Sequence, residues 1–162
     1  FSSCTLPMKR FFTWLILGVT LLPLGCDSYP KDPRHTLERV RNGTLRVGYS
    51  ESRPWVTKNG DAPGGTEAEL VKQFAQTLHA RIEWHNDTEQ NLFERLEKNE
   101  LHLVIAGLTD DTPWKDKIGM TRPYRKAGKK KHVMAVAPGE NGFLVALETF
   151  LHQHPLNSPA GS

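Results

Sequence analysis

The chain has 162 residues, with 21 lysines and arginines against 18 aspartates and glutamates, and two cysteines. This length is sufficient for one domain, and a net charge of +3 gives no support for a nucleic-acid partner. The seven histidines are scattered along the sequence, so neither a metal site nor another cofactor is predicted.

Residues 1–25 are predicted to form a secretory signal peptide, and the first seven of them precede the expected start at Met8. Two basic residues follow Met8, and the apolar run Phe11–Leu24 after them is too short to span a bilayer. The run leads into Leu24-Gly25-Cys26, which resembles the lipobox of bacterial lipoproteins. This resemblance implies that Cys26 is lipidated and becomes the N-terminus of the mature protein.

Residues 26–35 are expected to be a lipidated linker, because prolines and polar side chains between Asp27 and Arg34 are typical of a tether. The position of Asp27, directly after the cysteine, resembles the inner-membrane retention signal of enteric-type bacteria. Together these resemblances imply a protein anchored by lipid on the periplasmic side of the bacterial membrane, specifically the inner membrane.

An alternation of strands and helices begins at residue 36. The predicted strands are Leu45–Tyr49, Arg81–His85, Leu101–Ala106 and Val133–Ala137. The predicted helices are Thr36–Arg41, Glu67–Leu78, Asn91–Lys98 and a last one that carries Phe143, Leu147 and Leu151 on its inner side. This order predicts right-handed crossovers and an α/β fold, with a mainly parallel sheet flanked by helices on both faces. We expect one lobe over residues 36–154 and a disordered tail over residues 155–162.

Ligands of an open α/β sheet bind beyond the carboxyl ends of its strands. The loops Ser50–Trp55, Asn86–Thr88 and Gly107–Asp110 follow three of the predicted strands, and the third loop continues to Trp114. Trp55 and Trp114 are each compatible with a hydrophobic cover over the sheet end or with a role in binding. Together at one rim they would mark an exposed aromatic patch for a partner.

Four segments in order carry a family resemblance: TLRVGYSESRPWV (Thr44–Val56), GGTEAELVKQFAQTL (Gly64–Leu78), LHLVIAGLTDDTPWKDKIGMTRPY (Leu101–Tyr124) and HVMAVAPGENGFLVALETFL (His132–Leu151). They resemble bacterial extracellular solute-binding proteins of family 3, the periplasmic receptors of polar amino-acid ABC transporters. In that family a whole second lobe separates the last two segments, whereas this sequence has Arg125–Lys131 there. The resemblance therefore implies one lobe of a type II periplasmic-binding-protein fold, with the second lobe missing.

The resemblance also implies a ligand site on the first and third loops. The residues that it assigns to ligand binding are Ser50, Ser52, Trp55, Gly107, Thr109 and Trp114. In the family an aromatic residue near the place of Trp55 stacks on the ligand, and groups near Gly107 and Thr109 take its amino and carboxylate groups. Trp114 stands where the family has an arginine for the ligand carboxylate, and an indole offers one donor and no charge. Since a single lobe also buries less of a ligand than a closed cleft, weak binding is expected.

The expected function is a periplasm-facing, lipid-anchored module that binds a small, amino-acid-like polar solute weakly, in association with an ABC transporter. The alternative is an adapter that has lost solute binding and docks on a membrane transporter, a sensor or a cell-wall enzyme. The candidate partners are therefore the solute, an ABC permease or another membrane protein, the membrane itself and a second copy of the chain. The segment Ala106–Thr109 also resembles the receptor-like domain of membrane-bound lytic transglycosylase F. The catalytic domain of that family has no match here, so neither an enzyme activity nor a catalytic residue is predicted.

Overall fold

The computed structural model describes residues 31–155. Its elements are α1 (Thr36–Val40), β1 (Thr44–Tyr49), α2 (Thr66–Thr77), β2 (Arg81–Asn86), α3 (Glu89–Glu97), β3 (Leu103–Ile105), β4 (Gly119–Met120), β5 (Arg125–Ala127), β6 (Lys130–His132), β7 (Ala135–Val136) and α4 (Asn141–Gln153). The predicted signal peptide, the lipidation site Cys26 and nearly all of the predicted tail lie outside the described residues. Within residues 31–155, no helix has the length and apolar character needed to cross a membrane.

The five-stranded main sheet has the order β2-β1-β3-β7-β4. Strands β2, β1 and β3 are parallel, because α2 and α3 carry the chain back across the sheet between them. Strand β7 runs antiparallel to both β3 and β4. The chain enters β7 directly from β6, with no crossover helix, and so β7 runs in the direction opposite to β3. The α/β prediction is confirmed, while the sheet is mixed where a mainly parallel one was expected.

Apolar side chains alternate between the two faces of the sheet, as the period of a strand requires. One face carries Leu45, Val47 and Ile105 and packs against α1, α2 and α4, where the rings of Phe74 and Phe143 lie 5.8 Å apart. The other face carries Val104 and Ala135 and packs against α3 through Leu92, Phe93 and Leu96. The core therefore has two layers, and the carboxyl edge of β1 and β3 lies between them.

The segment after Tyr124 forms a two-stranded hairpin in which β5 pairs with β6. Gly128 has a φ of 61° and is the first of the two residues in the turn, the position where a type II′ turn requires glycine. Beyond the turn, His132 bridges to Thr109, and the Val133 N–H donates to the Leu108 carbonyl over 3.0 Å. The expected connector over Arg125–Lys131 is thus a structured element, a separate two-stranded sheet that is bridged to the third loop at the carboxyl edge of the main sheet.

Residues 31–35, which were predicted to belong to the linker, are bonded to the start of α4. The Asn141 N–H donates to the Lys31 carbonyl over 3.0 Å, and the Arg34 N–H donates to Glu140 Oε1 over 3.3 Å. This contact lies at the amino edge of β3, where the Ala137 N–H reaches the His102 carbonyl over 3.3 Å. The N-terminal segment and the hairpin therefore lie at opposite edges of the sheet.

Candidate functional site

Two loops meet at the carboxyl edge of β1 and β3, as their positions in the sequence predicted. Gly107 has a φ of 63°, and a Cβ atom on it would lie 2.5 Å from Ser52 Oγ and 2.9 Å from Trp55 Cδ1. A side chain at this position would force the loops apart, so their close approach requires glycine. The structure therefore brings Ser52, Trp55 and Gly107 together. Ser50 also belongs to this edge, since its N–H donates to the Ile105 carbonyl over 3.2 Å.

A buried carboxylate, Glu67, lies beneath these loops. It is fully buried in the first turn of α2. The Gly107 N–H donates to Glu67 Oε2 over 3.0 Å, and the Tyr124 hydroxyl donates to Glu67 Oε1 over 2.5 Å. Burial raises the pKa of Glu67 to about 7, although the bonds from Tyr124 and Gly107 act in the opposite direction. The group therefore changes charge near neutral pH.

Glu67 is not among the site residues that the sequence predicted. A signal was present, because Glu67 is in register with the buried residues Leu70, Val71 and Phe74 of α2. An acidic residue in such an apolar stripe must find partners or lose its charge. Its partner Tyr124 is held as a neutral phenol, since burial and the neighbouring carboxylate raise the pKa of Tyr124 far above its usual value.

Trp55 is covered by the hairpin and is only 8% exposed. Its ring lies 3.9 Å from the ring of His132, and the Arg125 guanidinium lies 5.3 Å from its centroid. Burial lowers the pKa of His132, so that its ring is neutral at pH 7. Trp55 therefore packs inside the domain, and a ligand could reach its ring face only if the hairpin moved.

Side chains of the third loop also bond to or pack against other residues of the domain. The Thr109 hydroxyl donates to Asp111 Oδ1 over 2.5 Å. The Trp114 ring packs 5.2 Å from the ring of Phe93, on the α3 side of the sheet, with Lys117 Nζ 5.4 Å from its centroid. Trp55 belongs to the core on the opposite side of the sheet. The hypothesis of one exposed aromatic patch formed by the two tryptophans is therefore wrong.

A cleft of about 410 Å³ lies elsewhere, between the segment that leads into the hairpin and the end of α4. Arg122, Tyr124, Glu148 and His152 are among its lining residues, and none of the six predicted ligand-binding residues lines it. Arg122 Nε lies 3.1 Å from Glu148 Oε2, so these two charges neutralise each other. In the described part of the chain, no cluster of three or more histidine, cysteine, aspartate or glutamate side chains could hold a metal ion.

Comparisons with known proteins agree with this architecture. The chain is 34% identical over 126 residues to the membrane-bound lytic murein transglycosylase F of Pseudomonas fluorescens (strain Pf0-1), covering 75% of this chain and 25% of that relative. It is 33% identical over 106 residues to the protein of the same name from Vibrio cholerae, covering 64% of this chain and 19% of the relative. The chain thus spans a quarter or less of the length of these curated relatives.

The fold is similar to that of the arginine-bound form of domain 1 from TmArgBP, with a TM-score of 0.66 and 22% identity over 72% of this chain and 98% of that chain. It is also similar to an ancestral cationic amino acid solute-binding protein, AncCDT-1, with a TM-score of 0.64 and 16% identity over 73% of this chain and 93% of that chain. The model of the family described as bacterial extracellular solute-binding proteins, family 3, matches residues 45–152. The family resemblance is thereby confirmed, and the chain belongs to the bacterial extracellular solute-binding proteins of family 3.

Proposed function

We propose that this domain is a non-transport module that works beside a murein-cleaving transglycosylase through protein contacts, and that it does not act as a receptor closing on an amino acid. One observation supports this proposal: the groups that the family resemblance assigns to a ligand already bond to, or pack against, other residues of the domain. The Gly107 N–H bonds to Glu67, the Thr109 hydroxyl bonds to Asp111, and Trp55 is covered by the hairpin.

A ligand carboxylate at this edge would displace a hydrogen bond that the domain already makes. To accept a bond from the Gly107 N–H, a ligand would have to take that donor from Glu67. A buried polar group that loses a partner costs roughly 1–3 kcal/mol, and more when the group is charged. Trp114 cannot offset this loss as an arginine would, because its indole carries no positive charge.

The relatives support the cell-wall context of this proposal. The similar proteins from Pseudomonas fluorescens and Vibrio cholerae are named membrane-bound lytic murein transglycosylases. We assign no catalytic role to this domain and place it outside the cytoplasm, as the family description implies. The proposal includes attachment to the inner membrane through lipid on Cys26.

The test is the release of soluble fragments from purified murein by a lytic transglycosylase F, with and without the domain. We expect no release by the domain alone, together with a changed rate for the enzyme and a stable complex in size-exclusion chromatography. An unchanged rate and separate elution of the two proteins would contradict the proposal. A Cys26→Ser variant expressed in cells tests the anchor, because it should move into the soluble periplasmic fraction.

Weak binding of a small polar solute, in association with an ABC transporter, is the second candidate. It is favoured by the TmArgBP structure, in which domain 1 is in an arginine-bound form. A thermal-shift screen of amino acids separates the two candidates, because a ligand stabilises a protein by RT ln(1 + [L]/Kd). We expect no shift at about 10 mM ligand, and a dose-dependent rise in Tm would favour the solute-binding candidate.

A further inference from the structure

The hairpin carries an unbalanced group of positive charges. Lys126, Lys129, Lys130 and Lys131 are all exposed. Among the described residues, Lys131 pairs with Asp110 over 3.4 Å, while the other three lysines form no ion pair. Lys126 lies directly opposite Lys131 in the strand register. Asp110 already offsets the charge of Lys131, and Asp111 interacts with Lys130. A negatively charged partner would therefore balance the charge that remains, above all that of Lys126 and Lys129.

The hairpin also offers backbone groups. In the part of the chain that the structure describes, β5 pairs with β6 alone, in a separate two-stranded sheet. Ala127 and Lys130 flank the two-residue turn and form the hydrogen-bonded pair that closes it. The alternation of an antiparallel ladder then directs the N–H and C=O of Lys126 away from β6. This edge can accept one more extended strand.

The positive charge of the lysines and the unpaired backbone groups of β5 together indicate the kind of partner. A lipid headgroup or an anionic sugar polymer would use the lysines and leave the strand edge unused. A second copy of the hairpin would meet lysines with lysines, which is how natural edge strands avoid pairing with themselves. An acidic peptide strand satisfies both features, because its side chains meet the lysines while its backbone bonds to β5.

The position of the hairpin in the domain points the same way. Lys31, where the described chain begins, is bonded to Asn141 at the amino edge of the sheet, whereas the hairpin lies at the carboxyl edge. These lysines therefore lie at the opposite edge of the sheet from the segment that leads to the proposed lipid anchor on Cys26, which favours a protein partner over the anchoring membrane.

We infer that the hairpin Arg125–His132 is a docking site for an acidic, extended segment of a protein partner, which adds to β5 as a third strand. This inference rests on the proposed function, whose protein contact it specifies.

The test measures the binding of a fluorescein-labelled peptide of alternating glutamate and valine to the whole chain by fluorescence anisotropy. We expect binding that weakens as the salt concentration rises. The double variant Lys126→Glu/Lys130→Glu should bind the peptide at least about tenfold more weakly than the wild type. The control is Lys98→Glu/Lys115→Glu, which makes the same change of net charge at exposed lysines that do not belong to the hairpin. Circular dichroism of both double variants checks that the fold is retained.

Two further probes distinguish binding through backbone strand pairing from binding through the lysine charges alone. The same acidic peptide with alternate backbone N–H groups methylated keeps its charge and cannot form a ladder, so it should bind about tenfold more weakly. Equal binding of the methylated peptide would overturn the inference, as would equal loss in the two double variants. Binding to vesicles of about 30% phosphatidylglycerol without binding to the peptide would assign the lysines to a membrane instead.

The outcome can be distinguished from that of the proposed function. If Lys126→Glu/Lys130→Glu still forms the complex with the transglycosylase, the inference about the hairpin is wrong and the proposed function stands. If the wild-type chain binds the acidic peptide and not the transglycosylase, the docking site stands and the proposed function is wrong.

Discussion

Tyr124 donates its hydroxyl to Glu67 over 2.5 Å, and this bond joins the segment that enters the hairpin to the first turn of α2. The same carboxylate accepts the Gly107 N–H, so one buried acid connects three parts of the chain. A buried polar network of this kind stabilises the fold when its members are paired and is costly when one is removed. The stability of the domain should therefore respond to changes in this network and in the packing around it.

The stability of the domain should depend on pH through Glu67. The unfolded chain releases this proton near pH 4.5, whereas the folded protein holds it to about pH 7. Folding therefore binds a proton between these values, and the free energy of unfolding should fall as pH rises through this window, by about 3 kcal/mol in total. In Glu67→Gln this contribution should be absent, and urea unfolding across the pH range measures the difference between the two proteins.

The comparison with the variant is needed because His102 contributes a slope of opposite sign. Burial lowers the pKa of His102 to about 4, and its stabilising contribution is therefore lost as pH falls from 6.5 towards that value. This term is common to both proteins and cancels in the difference. Parallel curves for wild type and Glu67→Gln would contradict the assignment of a raised pKa to Glu67.

Removing the hydroxyl of Tyr124 should destabilise the domain more at high pH than at low pH. In Tyr124→Phe the ring stays, but Glu67 loses its side-chain donor. The cost should be roughly 1–3 kcal/mol above the pKa of Glu67, where the carboxylate is charged, and smaller about two units below it. Chemical unfolding at two pH values measures this dependence. An equal cost at both would mean that the bond does not depend on the charge of Glu67.

Two glycines with similar φ angles should respond differently to alanine. Gly107 and Gly128 have φ values of 63° and 61°. A Cβ on Gly107 would collide with Ser52 and Trp55, whereas a Cβ on Gly128 meets nothing within 4 Å. Gly128→Ala should cost only the conformational strain, roughly 1–2 kcal/mol.

Gly107→Ala should cost at least about 1 kcal/mol more than Gly128→Ala, because overpacking against Ser52 and Trp55 is added to the strain of a positive φ. The difference in unfolding free energy between the two variants isolates the contact between the two loops. Equal costs would show that these loops separate easily, which an open binding site would require.

Trp114→Arg introduces the arginine that the family resemblance implies at this position, and it tests whether the domain can bind an amino-acid ligand. Because Trp114 packs against Phe93, the variant should lose roughly 1–3 kcal/mol of stability. It should gain no measurable affinity for amino acids in calorimetry, since the Gly107 N–H is already bonded to Glu67. Trp114→Phe is the control that retains an aromatic ring. Heat of binding for an amino acid in the arginine variant alone would restore the solute-receptor interpretation.

Elements with a clear hydrophobic period were predicted from the sequence within one or two residues. The apolar stripe predicted α2 as Glu67–Leu78, and the structure has Thr66–Thr77. Strand β4 is only Gly119–Met120 and has no alternation to detect. The hairpin was missed because charged residues such as Lys129–Lys131 are typical of a solvated connector. Its strands arise from the local turn at Gly128 and from the bridge between His132 and Thr109, and this second contact joins residues that are distant in the sequence.

The sequence predicted where the candidate site lies, but it did not predict which groups its residues contact. The carboxyl edge brought Ser52, Trp55 and Gly107 together, as strand order indicates. The partners of the Gly107 N–H and of Trp55 come from α2 and from the hairpin. Burial of these groups depends on how the chain returns over the sheet, and no local pattern encodes that path. The ligand-binding roles of the six residues remain predictions.

The two-residue turn at Gly128-Lys129 brings the ends of β5 and β6 side by side at an exposed tip. A foreign domain whose own termini lie close together could be spliced in at this point without stretching either strand, since exposed turns of this kind tolerate insertions. The hairpin thus gives the domain a position at which a guest domain could be inserted while the two strands keep their pairing.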